Sequence, residues 1–159
     1  MTRLRSTDHF RRQHAALLGH VERLPILAHE LPSMSLEERI ELVERVTAFL
    51  VEVLLPHAEL EQRVLYPGAD QLLGDAGAGT SVGHDRSEVR IRLADLAAAD
   101  PADAGALQEL LYALHALLAI HLQHEEEVYL RLVQSDEQES VQRLFRRVTD
   151  ESPTHTPAA

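Results

Sequence analysis

Two segments of this 159-residue chain place a histidine and a glutamate one helical turn apart on a stripe that is otherwise apolar. In the first, helical steps back from His57 reach Val53, Leu50 and Val46, and steps forward reach Glu61 and Val64. In the second, steps back from His121 reach Leu117, Leu114 and Leu110, and steps forward reach Glu125, Val128 and Leu132. A helix that buries such a stripe carries an ionised carboxylate into its core, which is costly unless something cationic binds it. The fold must therefore bring both stripes to one level, with a cation between them.

The rest of the chain predicts how that happens. Helical periodicity dominates and alternating β-branched runs are missing, so the fold class is all-α. A first helix spans about 7–29 and stops at Leu31-Pro32. A second opens at Ser35, which has capping-box spacing to Glu38, and runs to Tyr66-Pro67. Pro67 to Gly83 is rich in glycine and reads as the longest loop. A third helix spans about 84–99, a fourth about 103–133, and Ser135 with Gln138 caps a short fifth ending near Thr149. Long helices with short connections predict an antiparallel up-down-up-down four-helix bundle with a short C-terminal fifth helix. Residues 1–150 form this one domain, and 151–159 are expected to be a disordered tail.

In an antiparallel hairpin, residues equally far from the turn come level. His84 and His121 lie at similar distances either side of Pro101, and His14 and His57 lie less evenly either side of Pro32. His14 shares the apolar face of the first helix with Phe10, Leu17, Leu18 and Val21. Pro56 lacks an N–H and clashes with the carbonyl four residues back, so a kink near Glu52 is expected to bring His57 into the layer. The candidate metal ligands are thus His14, His57, Glu61, His84, His121 and Glu125. The chain has no cysteine, so only imidazole nitrogen and carboxylate oxygen are on offer. Four histidines and two glutamates exceed what one tetrahedral zinc uses, whereas two five- or six-coordinate irons sharing carboxylates use them well. His9, His20, His29, His115 and His155 read as non-ligands, and Tyr129 reads as packing.

The ordered series His14, His57-x-x-x-Glu61, His84, His121-x-x-x-Glu125, with EQRVLYP ending at Pro67 and HEEEVY beginning at His124, resembles the hemerythrin-like, or HHE cation-binding, domain. The resemblance covers about 7–133. It implies a bundle holding two non-haem iron ions, oxo- or hydroxo-bridged, with the glutamates bridging and the histidines completing each iron. It also implies a small-molecule ligand: hydrogen peroxide, dioxygen or nitric oxide. Oxygen-carrying members have a further histidine one turn after that of the third helix, and here that position is Glu88. This departure favours turnover of a small oxidant such as peroxide, in a peroxidase- or catalase-like activity. The alternative is a non-catalytic sensor or storage module for dioxygen, nitric oxide or iron.

A net charge of −11 leaves no basic surface for nucleic acid. The N-terminus is charged throughout and no uninterrupted apolar run reaches signal or membrane-span length, so cytoplasmic residence without a membrane partner is expected.

Overall fold

A computed structural model describes residues 5–74 and 78–152, and of residues 5–6 and 78–85 it describes the backbone alone. The described residues are helical almost throughout. Helix α1 (Arg5–Glu30) buries Phe10, His14, Leu17, Val21, Leu24 and Ala28, an unbroken three-and-four spacing. A 3-10 turn at Leu31–Ser33, containing Pro32, ends it. Helix α2 (Leu36–Phe49) opens with the capping box expected from the sequence. The Glu38 N–H donates to Ser35 Oγ at 3.2 Å, and the Ser35 N–H donates to a Glu38 carboxylate oxygen at 2.6 Å.

From α2 the path continues through helix α3 (Leu55–Leu60) and helix α4 (Tyr66–Leu73), joined by two single-turn π segments, Leu50–Leu54 and Glu61–Leu65. Each π turn closes with an N–H reaching back five residues, Leu55 to Leu50 and Tyr66 to Glu61, and each lies directly before a proline pair, Leu55-Pro56 and Tyr66-Pro67. The extra residue moves the buried stripe from Leu50 to Leu54 and Leu55, leaving Val53 only half-buried. Near Glu52, where the sequence predicts a kink, the chain has a π turn directly before Leu55-Pro56.

Among the described residues the expected glycine-rich loop, Pro67 to Gly83, is mostly helix. Tyr66–Leu73 is helical and ends at Gly74, the one described glycine with positive φ (64°), and helix α5 (Ala78–Ala98) begins soon after. Helix α6 (Ala104–Gln134) starts at Asp103, whose side chain accepts the Ala106 N–H at 3.0 Å. By length and composition alone α6 is apolar enough to cross a membrane, as the core helix of a soluble bundle also can be, although Glu109, His115 and His121 interrupt its apolar run. Its stripe Leu107, Leu111, Leu114, Leu118 and Leu122 is buried in the helical core. Helix α7 (Gln138–Glu151) buries Val141, Leu144, Phe145 and Val148. Ser135 does not cap it; its hydroxyl donates to the Leu132 carbonyl and closes α6 instead. The expected disordered tail, 151–159, lies from 153 onward outside the described residues.

The apolar core falls into two clusters. One joins α1, α2, α5 and α6 through residues such as Val21, Leu50, Leu96 and Leu114. The other joins the start of α1, the π turn at Glu61–Leu65, α4, the end of α6 and α7 through Phe10, Leu65, Tyr66, Leu132 and Phe145. His14, Glu61, His121 and Glu125 are buried in neither cluster, and they lie in sequence where one gives way to the other.

Candidate metal centre

Three helical paths supply the buried polar layer. α1 brings His14, α3 and the π turn after it bring His57 and Glu61, and α6 brings His121 and Glu125. Ligand atoms of His14, His57, Glu61 and Glu125 all lie within 4.8 Å of one another. His14 Nε2 and His57 Nε2 each stand 2.9 Å from Glu61 Oε1 and 3.1 Å from each other. Two ring nitrogens that close either share a proton or converge on one cation. Glu125 Oε1 is 2.7 Å from His121 Nε2 and accepts the Tyr66 hydroxyl at 3.1 Å, and Glu125 Oε2 is 3.5 Å from His14 Nε2. Phe10 lies against His14, ring centroids 4.0 Å apart, and stacks on Tyr129.

Both carboxylates are 0% exposed, and Glu61 Oε2 and Glu125 Oε2 have no hydrogen-bond partner among the described residues. Burial raises the pKa of each, but the outcome differs. At Glu61 the His57 charge and bonds from His14 and His57 outweigh burial and hold the carboxyl well below the ordinary range. At Glu125 burial and the negative charge of Glu61 win over the bond to His121, and the pKa is raised. Burial lowers His57, but the Glu61 charge and its hydrogen bond overcome it and raise the pKa. Two buried acids facing each other with orphaned oxygens, and imidazole nitrogens converging on them, are a donor set that fits divalent or trivalent cations and fits nothing apolar.

Four of the six residues singled out in the sequence converge directly, and His121 adjoins them through Glu125. His84 lies in α5, but its side chain is outside the described residues. Glu88 faces solvent, 3.9 Å from Arg92, as an ordinary surface acid. Tyr129 packs between Phe10 and Phe145 beneath Arg11. Among the histidines read as non-ligands, His20 lies against Phe49. Tyr66 is the residue sequence reasoning missed. Steps of three and four from Glu61 skip position 66, and only the π turn brings it round; Pro67 was the one signal of it.

An all-helical chain that turns imidazoles and carboxylates inward at one level defines a class of helical cation-binding protein. The family model described as Hemerythrin HHE cation binding domain matches residues 5–133, and the chain belongs to that family. Among curated proteins and among solved structures nothing matches it.

Proposed function

We propose that this chain is a cytoplasmic di-iron protein that binds and turns over a small oxidant, hydrogen peroxide first, within an antiparallel up-down-up-down bundle. The observation that carries the metal reading is the pair of fully buried carboxylates, Glu61 and Glu125, with orphaned oxygens in a ring of imidazoles. Two irons suit this ligand set, His14, His57, His84 and His121 with the two glutamates, better than one zinc does. Bound iron supplies a Lewis acid and the redox equivalents. The chain supplies the rest. Glu61, held ionised by its imidazole partners, offers a standing negative charge, and at Glu125, whose pKa is raised by burial and the Glu61 charge, a cation would favour the ionised form. Phe10 shields His14 on one side, so small ligands are favoured over bulky ones.

Catalysis rather than oxygen carriage is favoured by Glu88. It stands where oxygen carriers in the resembling family have a further histidine, and it turns to solvent beside Arg92. With Glu88 out of the ligand set, an iron held by these residues would keep room for the oxidant. Iron-loaded protein is expected to consume hydrogen peroxide, and Glu61→Ala and His121→Ala to lose iron and activity together. A fully loaded protein that leaves peroxide untouched and binds dioxygen reversibly would establish the sensor or storage reading instead. One firmly held zinc, without near-ultraviolet charge-transfer bands, would refute the di-iron reading.

A further inference from the structure

We infer that Tyr66 is a positioning residue of the metal centre, holding the Glu125 carboxylate in place once a cation has taken the imidazoles; this rests on the metal reading above. The Tyr66 side chain is 2% exposed, and its hydroxyl donates to Glu125 Oε1 at 3.1 Å. The same oxygen lies 2.7 Å from His121 Nε2. A ring nitrogen bound to a metal carries no proton, so His121 cannot donate to Glu125 from Nε2 and ligate through that same nitrogen. The phenol has no such conflict, because it remains a neutral donor whether or not a cation is present. Glu61 is differently placed: among the described residues its Oε1 meets only the imidazoles of His14 and His57. The two carboxylates therefore keep unequal support in the loaded protein, and the hydroxyl belongs to Glu125.

The backbone fixes this arrangement. Tyr66 follows the π turn at Glu61–Leu65, its N–H bonding the Glu61 carbonyl, so the same turn that carries the ligand Glu61 sets the azimuth of Tyr66. Its ring is locked in the apolar cluster that contains Phe10, Leu65, Tyr129 and Phe145. A donor on a rigid ring restricts which way the carboxylate lone pairs point, and partners of this kind are commonly worth about 10–100-fold in metal affinity.

The test uses the full chain and ferrous iron under anaerobic conditions, with affinity read by competition against a chromogenic chelator. Tyr66→Phe keeps the ring and is expected to weaken ferrous binding about 10–100-fold, while the metal-free melting temperature changes little. In a Glu125→Asp background, which keeps a carboxylate but draws it away from the hydroxyl, the same substitution is expected to have a smaller effect on affinity. Affinity within about two-fold of wild type, or an equal loss in the Glu125→Asp background, overturns the inference. Should Tyr66→Phe fail to fold, 3-fluorotyrosine at position 66 keeps the shape and strengthens the donor. It is expected to shift the visible bands of the cobalt(II)-loaded protein, and unchanged bands overturn the inference. Wild type that binds no ferrous iron sinks the metal reading and this one with it, whereas tight wild-type binding with an indifferent Tyr66→Phe sinks this one alone.

Discussion

Replacing Pro56 by alanine asks what holds the first π turn in place. Pro56 follows Leu50–Leu54 directly, and its missing N–H and ring clash suggest that it forces the turn. If it did, alanine at this position would let the helix revert to regular α geometry and rotate everything beyond it by about 100°. That rotation would carry Leu55, Leu60, Val64 and Leu65, all buried, out of the core. At about 1.5–3 kcal/mol per side chain the loss is about 6–12 kcal/mol, comparable with the whole stability of a domain. Against it stands one recovered backbone hydrogen bond, about 0.5–1.5 kcal/mol, itself offset by about 0.4–1 kcal/mol from a looser unfolded chain. Packing wins by a wide margin. Pro56→Ala is therefore expected to keep the π turn, to bind iron with wild-type affinity, and to shift the melting temperature by no more than about 4 °C. A metal titration and a thermal melt check both. Folded Pro56→Ala protein that has lost its iron site would refute the argument and make the proline, not the core, the cause of the turn.

Two further outcomes follow from the same structure. Chelation is expected to lower the melting temperature more at about pH 7.5 than at about pH 5.5. In the metal-free protein the lowered Glu61 contributes stability above the unfolded value of 4.5 and loses it as pH falls, the raised His57 contributes below 6.5 and loses it as pH rises, and the raised Glu125 destabilises increasingly above 4.5. The metal-free optimum is thus mildly acidic, while metal binding strengthens as ligands shed protons, and an equal chelation effect at both pH values would contradict this. Phe145→Ala removes a fully buried ring that meets Phe10 and Tyr129, and is expected to cost about 3–5 kcal/mol, or about 6–20 °C, in one cooperative transition. A separate early transition would show α7 melting by itself.

What was legible in the sequence was written in local chemistry. Ser35 with Glu38 and Asp103 mark helix starts because their side chains bond nearby backbone N–H groups whatever the rest of the chain does. The His and Glu pairs were legible because one period governs α6 throughout, and ligands on an apolar stripe stand out against it. The same count misled where the period changed. Each π turn adds one residue, so a regular count puts Val53 on the core stripe that Leu54 occupies and leaves Tyr66 off it. The glycine-rich stretch misled for another reason. A glycine costs a helix only about 1 kcal/mol, and the burial of Tyr66 and Ala69 outweighs it. At Gly68 a Cβ would overlap the Leu144 side chain of α7, whose end would have to shift to admit it.

That contact bears on how far the family can instruct. The match ends at residue 133, and α7 begins at Gln138, yet Phe145 meets Phe10, and Phe10 lies against the candidate ligand His14. One side of the metal centre therefore depends, through a single intervening ring, on a segment the family pattern does not describe. An imidazole that ligates a metal responds to how tightly its ring is held, because ligand orientation and solvent access both tune the bound ion. Tyr66, bonded to Glu125, borders the same candidate site from another side. The match over residues 5–133 brings the chain into the family, but a fold does not by itself carry an activity. Peroxide turnover has to be measured on this chain, with α7 in place.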